Sequence, residues 1–335
     1  MKERLMGLIL TGLWPALAFG AGNNLLRLVQ RFPMPGVHGK FDHLAVDLAG
    51  HRLFVAAEDQ PAIEVLDLQT GNRLAEIRAV GKPHAIFFMP RRDWLFVTDG
   101  RAGECKIFDG RTYRLIKAIK LQVDSDSGYY DAASHRLFVV NGGSDAGKPY
   151  SFISIINTEA SADVKNIEVP DNGPEAVRLG GSGRLYVNLN GDNQVGVLDL
   201  ASGRLLAQWG LGGAKDNVPM DIDRADHRLF VVTRKPPKLL VYDTRTGKIV
   251  ASLASDREAD DMIYDAEDKL ILVSCGQGFV YAYRQLGPNQ YALAAKVPSG
   301  PAAKTSVFVP SLHRLYVAAA ARGSEPARIL VYRVQ

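Results

Sequence analysis

The chain repeats one short apolar motif seven times, and that repetition limits its possible folds more than any other feature. His51-Arg52-Leu53-Phe54-Val55 returns as Asp93-Trp94-Leu95-Phe96-Val97, His135-Arg136-Leu137-Phe138-Val139, Gly183-Arg184-Leu185-Tyr186-Val187, His227-Arg228-Leu229-Phe230-Val231, Asp268-Lys269-Leu270-Ile271-Leu272 and His313-Arg314-Leu315-Tyr316-Val317. The central leucines are spaced by 42, 42, 48, 44, 41 and 45 residues. That period belongs to propellers, in which a four-stranded sheet cannot bury both of its faces alone and must be flanked by its own copies. The expected fold is therefore all-β, a seven-bladed β-propeller of four-stranded antiparallel blades. A chain of 335 residues would ordinarily suggest about two domains. The repeat overrides that expectation and predicts one domain over residues 21–335, because stacked repeats share a continuous core.

Each repeat reads as an apolar innermost strand, a turn, the Arg-Leu-Phe-Val strand, a polar loop, a third apolar strand, a turn and an alternating outermost strand. In the first blade these are residues 43–47, 53–57, 62–68 and 73–79. The three inner strands are almost continuously apolar because neighbouring blades cover both of their faces, whereas the outermost strand meets water on one side. Arg114, Lys117 and Lys120 mark that wet side and discourage edge-to-edge pairing. Asp67, Asp109, Asp199 and Asp243 stand fourteen residues after their leucines, mostly followed by Gly four places on. An Asp that accepts backbone hydrogens and a Gly free to take positive φ make a turn, not a catalyst. His51, His135, His227 and His313 recur at one turn position, which also argues for a structural part. The last blade lacks an outermost strand, and residues 25–32 have its alternation. They are predicted to pair with residues 329–334 and join the two ends of the ring.

Lys2 and Arg4 precede an apolar run over residues 5–19, and Ala18-Phe19-Gly20 is a small-residue cleavage site. These are the parts of a secretory signal peptide over residues 1–20, too short for a membrane span, so a periplasmic or secreted protein with no span after cleavage is expected. The hydrophobic share of 47% and charged share of 23% are those of a folded globular chain. A formal charge of +4 spread over this length argues against nucleic acid. Cys105 and Cys275 fall in the second and sixth blades, too far apart to bridge. No Cys-x-x-Cys-His string is present, which excludes covalent c-type haem.

The repeat resembles the YVTN family of seven-bladed propellers, which includes YncE-like periplasmic proteins. The resemblance is strongest in Arg184-Leu185-Tyr186-Val187-Asn188 running to Val195-Gly196-Val197-Leu198-Asp199, and in Val80-Gly81-Lys82-Pro83-His84 leading into an innermost strand. The tetrapeptide that names the family is nowhere intact; Phe96-Val97-Thr98-Asp99 and Tyr186-Val187-Asn188-Leu189 come nearest. The resemblance implies the fold and an extracytoplasmic home, and little chemistry, since members serve varied purposes.

A propeller gathers its functional groups where the innermost strands enter the channel. The residue ten or eleven places before each leucine marks that entry: His43, His84, Asp126, Glu175, Pro219, Asp260 and Lys304, with Asp42, Asp221 and Asp261 adjacent. Six of seven blades thus present an ionisable group, and carboxylates beside imidazoles suit a polar ligand or a divalent metal. The ordinary reading is that channel ends are polar simply because they are wet. Extra residues at 141–150 and 319–328 are expected to extend loops over the same mouth.

Other motifs are weaker. Asp124-Ser125-Asp126-Ser127-Gly128 begins like a calcium loop, but His135 stands where the closing Glu should be. Gly180-Gly181-Ser182-Gly183 lacks the order of a nucleophile elbow, and Gly210-Leu211-Gly212-Gly213 is not followed by a helix that could cradle phosphate. Arg234, Lys235 and Lys238 with Tyr242 form a basic cluster that reads as a solvated rim.

The first functional reading is a binding or scaffold module, most simply a monomer, holding a protein, a peptide or a small polar ligand at the mouth and needing no cofactor. The alternative is a metal-assisted lactone hydrolase or lyase, with His43 or His84 as general base and Asp126, Glu175 or Asp260 holding the cation. A third is a non-catalytic subunit of a periplasmic redox assembly. Metal analysis and a chelator-controlled lactone screen separate the second reading from the first.

Overall fold

The computed structural model describes residues 25–160 and 164–335, so the signal-peptide segment read from Lys2, Arg4 and residues 5–20 lies outside the described residues. Seven four-stranded antiparallel sheets make up the molecule. Neighbouring blades pack on one another through their innermost strands, blades two and three through the seam that joins Met89 and Phe96 with Leu137, and the innermost strand of blade seven, Thr305–Val309, packs on that of blade one, Phe41–Asp47, so the blades stand in a ring. Blade one comprises Phe41–Asp47, Arg52–Ala57, Ala62–Asp67 and Arg73–Ile77, within two residues of the boundaries read from the pattern. Among the described residues no helix is long and apolar enough to cross a membrane.

The pentapeptide works as a two-sided wedge. Leu53 packs toward blade seven, in a cluster with Tyr316, Ile329 and Val331, while Phe54 packs toward blade two, with Ile86 and Leu95. Side chains alternate across a strand, so consecutive residues must serve the two blade interfaces in turn. The same division recurs with Leu95 and Phe96, Leu137 and Phe138, Leu185 and Tyr186, and Leu229 and Phe230. The apolar core is therefore seven slabs, one in each seam between blades.

Blade six departs from the register expected of it. Ile271 faces blade five, whereas Leu270 and Leu272 face blade seven, and Leu270 pairs with Arg284 as Arg52 pairs with Asp67. Ile271, not Leu270, is the equivalent of Leu53. The motif in this blade begins one residue later because a one-residue shift exchanges the two faces of a strand, and only one choice puts Tyr283 and Ile271 into the same seam.

Asp67, Asp109, Asp199 and Asp243 each accept a backbone N–H from the residue three places on, at 2.7 to 3.1 Å, and a hydroxyl from the same Thr or Ser. Asn157 plays the same part in blade three, accepting from the N–H groups of Glu159 and Ala160. Gly71, Gly203 and Gly247 follow at φ near 75° (75°, 74° and 71°). These residues are turn-makers, as their spacing predicted. Cys105 and Cys275 are buried free thiols.

The strand Leu26–Met34 pairs antiparallel with Ala327–Val334, from Leu26 opposite Val334 to Met34 opposite Ala327, and is the outermost strand of that sheet. Its Phe32 and Met34 are buried in the seam between blades one and seven.

Candidate functional site at the channel mouth

The innermost strands are irregular at one end, and that end is the mouth. Their pairing with the second strand slips between Phe41 and Leu44, Pro83 and Ile86, Pro174 and Val177, Asn217 and Met220, and Ala259 and Asp261. A bulge breaks strict alternation and re-aims side chains, which is why bulges gather beside functional sites. Asp42, His43, His84, Glu175, Pro219 and Asp260 all sit within these slips. In the two other blades Asp126 and Lys304 lie just ahead of the first paired residues, Gly128 and Thr305.

These residues share one cavity of about 340 Å³. His43, His84, Asp126, Glu175, Pro219, Asp260 and Lys304 all line it, as do Asp42 and Asp261. Asp221 does not. Its carboxylate instead accepts from Arg178 Nε at 3.0 Å and from the Tyr264 N–H at 2.7 Å, and so holds the Arg178 that does line the cavity.

Two ionic groups share the cavity. In the first, His84 Nδ1 donates to Asp42 Oδ2 at 2.6 Å and lies 3.2 Å from Asp126 Oδ1. His43 Nδ1 is 3.1 Å from Asp261 Oδ1, and its Nε2 is 3.5 Å from Asp42 Oδ1. Asp42 thus bridges both imidazoles. In the second group, Asp260 receives Arg234 Nη2 at 2.5 Å on one oxygen and Lys304 Nζ at 2.7 Å on the other. Arg234 is fixed further by donating from Nε to the Ala259 carbonyl at 3.0 Å.

No family model matches the chain. Over 99 residues it is 32% identical to the Uncharacterized protein YncE of Salmonella typhimurium and 31% identical to that of Salmonella typhi; the match spans 30% of this chain and 28% of the length of each relative. The chain is a seven-bladed β-propeller that is similar to YncE over that stretch. Solved structures share the architecture at low identity, so the likeness is one of fold. A chain of Kuenenia stuttgartiensis hydrazine synthase superposes with a TM-score of 0.72 at 17% identity, over 87% of this chain and 99% of that one. A chain of the mitotic checkpoint complex gives 0.74 at 13%, over 100% and 99%, and the RRP9 WD40 repeats give 0.73 at 11%, over 92% and 97%.

The mouth has strongly displaced acidities. Burial works to raise Asp42, but the His43 charge, the His84 hydrogen bond and Lys304 outweigh it and hold it at about 2. Burial would discharge both imidazoles; Asp261 and Asp42 instead raise His43 well above its ordinary value, and Asp42 and Asp126 raise His84. Burial, with the Asp42 charge, lifts Asp126 to about 6 against the pull of His84. Glu175 is lifted to about 8 by burial and by the charges of Asp126 and Asp260. At neutral pH the site therefore holds an uncharged Glu175 beside imidazoles whose charged form is favoured.

His84 is buried, at 4% exposure, and its Nε2 has no hydrogen-bond partner among the described residues. That nitrogen lies against Gly100, where an added Cβ would come within 2.8 Å. Glycine at 100 is what lets the ring lie in this place.

Several lining residues escape a reading based on strand entry. Glu58, just past the second strand of blade one, and Arg234, near the end of the second strand of blade five, stand five places beyond Leu53 and Leu229. The other blades carry Gly100, Gly142, Asn190, Gly276 and Ala320 there, so charge at this ordinal was a usable signal. Lys40, Lys82 and Arg178 were missed as well. The solvated-rim reading holds for Lys235, which pairs with Asp216 at 3.1 Å, and fails for Arg234, which is tied into the cavity. Tyr242 belongs to neither, being buried with its hydroxyl on the Gly210 carbonyl.

The inserted loops do less than expected. Residues 141–150 and 319–328 do not line the cavity; the charge of Asp145 bears on Asp124, whose own charge bears on Glu175, and Ala320 lines an adjoining recess that shares Lys40, Arg234 and Lys304. Extra length on one face does not turn a loop inward when neighbouring backbone holds it, as Asn172 holds the N–H of Ser144.

Proposed function

We propose that this protein is an extracytoplasmic binding module that holds a small polar ligand in the channel mouth. The observation that carries the reading is the convergence of charged side chains from all seven blades on one cavity of about 340 Å³, a volume suited to a small molecule. Bound in such a place, a ligand gains from groups already oriented by their ion pairs, so little ordering has to accompany binding. YncE-like relatives and the propeller scaffold support a binding role, and the address rests on the charged start, apolar run and small-residue site of residues 1–20. The test is a melting screen of the purified protein against small amines, carboxylates, amino acids and sugars at millimolar concentration. A ligand of this site raises the melt by several degrees in the parent and not in Arg234→Ala or Asp260→Ala. A flat screen, together with a periplasmic protein captured on the same face, would replace the small ligand with a protein partner.

The alternative of metal-assisted hydrolysis has one observation in its favour. Asp42, Glu58 and His84 each offer a ligand atom within 4.8 Å of the others. Against it, Lys82 Nζ already lies 3.4 Å from Glu58, and His84 Nδ1 is engaged by Asp42. Metal content in the purified protein and a chelator-sensitive lactonase activity lost in His84→Ala would move the conclusion to this reading.

A further inference from the structure

We infer that the mouth cavity takes a small organic ammonium with a short aliphatic body, its nitrogen seated against the Glu175 carboxylate. The inference rests on the mouth being a ligand site and names what that site selects. Its starting point is an imbalance in how the cavity's charges are satisfied. His84 is paired with Asp42, His43 with Asp261, Arg234 and Lys304 with Asp260, Arg178 with Asp221, and Lys82 with Glu58. Among the acids that line the cavity, Glu175 alone has a carboxyl group with no hydrogen bond or ion pair among the described residues. Only its backbone is tied, through a carbonyl that accepts the Ser127 hydroxyl. Of the cations lining the cavity only Lys40, an exposed residue just ahead of the first innermost strand, has a side chain with no carboxylate partner among the described residues; the buried open valence of the site is thus negative, and an anion seated there would meet Glu175 and Asp126.

Beside Glu175 the wall changes character. Blade five contributes Val218, Pro219 and Met220, the one blade with no charge at strand entry, and Ala176 and Met262 flank them. An ammonium at Glu175 would lay its carbon chain along this wall, removing apolar area from water, while its N–H groups supply the donors the carboxylate lacks. A metal ion or a bare ammonium ion would leave that wall unused.

Seating the cation requires Glu175 to be ionised. Around it stand Asp126, Asp124 and Asp260, which oppose ionisation, and Arg234, which favours it; burial adds to the acids, so the free protein holds a proton there up to about pH 8. Binding must therefore expel one proton, and affinity must rise about tenfold per pH unit below that value.

The experiment is calorimetric titration of the purified protein with n-butylamine, and with butyrate as the matched anion, at pH 6.5 and 7.5 in two buffers of different ionisation enthalpy. Butylamine is expected to bind with release of about one proton and about tenfold more tightly at the higher pH. Glu175→Gln should bind at least about tenfold more weakly, without proton release, while melting no lower than the parent, since a neutral amide replaces an acid that is neutral when buried. Amine binding of parental strength in Glu175→Gln, or binding to the parent with no proton released, would overturn the inference; the second readout is made on the parent and stands even should the variant fold poorly. Butyrate binding that is lost in Arg234→Ala would keep the mouth as a ligand site and discard the ammonium. If neither probe gives heat or moves the melt, both the inference and the small-ligand reading fail together.

Discussion

Asp42 is the single carboxylate that touches both mouth imidazoles, and its loss should be felt through them. A depressed carboxyl contributes stability above its unfolded value of 3.8, and that contribution is lost as pH falls toward its folded value of about 2. A raised imidazole contributes below its unfolded value of 6.5, and that contribution is lost as pH rises through the higher folded value. Both shares coexist only between roughly pH 4 and 6.5. Asp42→Asn is accordingly expected to cost about 1–3 kcal/mol in that window, because it takes the shared carboxylate from both imidazoles, leaving His84 only Asp126 and His43 only Asp261. Thermal melts from pH 2 to 9 check it: the gap to the parent should narrow at both ends, and a gap indifferent to pH would contradict the pairing. His43 and His84 could be picked out by counting back from a leucine. That they share Asp42 could not, because the bond from blade one to blade two crosses 42 residues of chain.

The turn between the innermost and second strands imposes one backbone state on all seven blades. His51, Asp93, His135, Gly183, His227, Lys269 and His313 have φ of 51°, 50°, 53°, 68°, 57°, 54° and 47°. Left-handed backbone explains the residue types: Asn, Asp, His and Gly tolerate it, and β-branched residues do not. His135→Val should therefore destabilise by more than about 1 kcal/mol, whereas His135→Gly should fall within about 1 kcal/mol of the parent, strain relief offsetting the freer unfolded chain. Denaturant midpoints of the two variants decide this, and equal losses in both would assign His135 a side-chain role instead. The recurrence of His identified this turn as structural before any coordinates. In blade six the same backbone position belongs to Lys269, one place beyond the Asp268 that the motif aligned with His51; apolar residues on both sides of Ile271 hide the register, which the seams between blades then settle.

For the molecule as a whole, the sheet of blade seven draws its outermost strand from the other end of the chain. Removing residues through Met34 would bare the backbone edge of Ala327–Val334 and take Phe32 and Met34 out of the seam they share with Tyr316, Ile329 and Val331. The shortened protein is expected to aggregate or to lose its cooperative melt, since an unpaired edge is a template for other chains and several large buried side chains go at once. Calorimetry and light scattering test this; a cooperative transition at the parental temperature would show that the strand is dispensable.

The number of blades, their strand order and the turn chemistry were determined by the amino-acid sequence alone. Burial in a seam is imposed on every blade alike, and a constraint met seven times leaves a visible period. The entry positions of the cavity followed from the same count. What only the tertiary structure decided is which of those groups are satisfied by one another. Five bulges re-aim the side chains, the far ends of second strands bring in Glu58 and Arg234, and an ion pair is set by distances of a few ångströms in a channel whose walls lie far apart in the chain. Periodicity records what each blade shares with the rest. The unpaired carboxyl of Glu175 arises from how the blades differ, and such differences acquire meaning only once the ring has set them face to face.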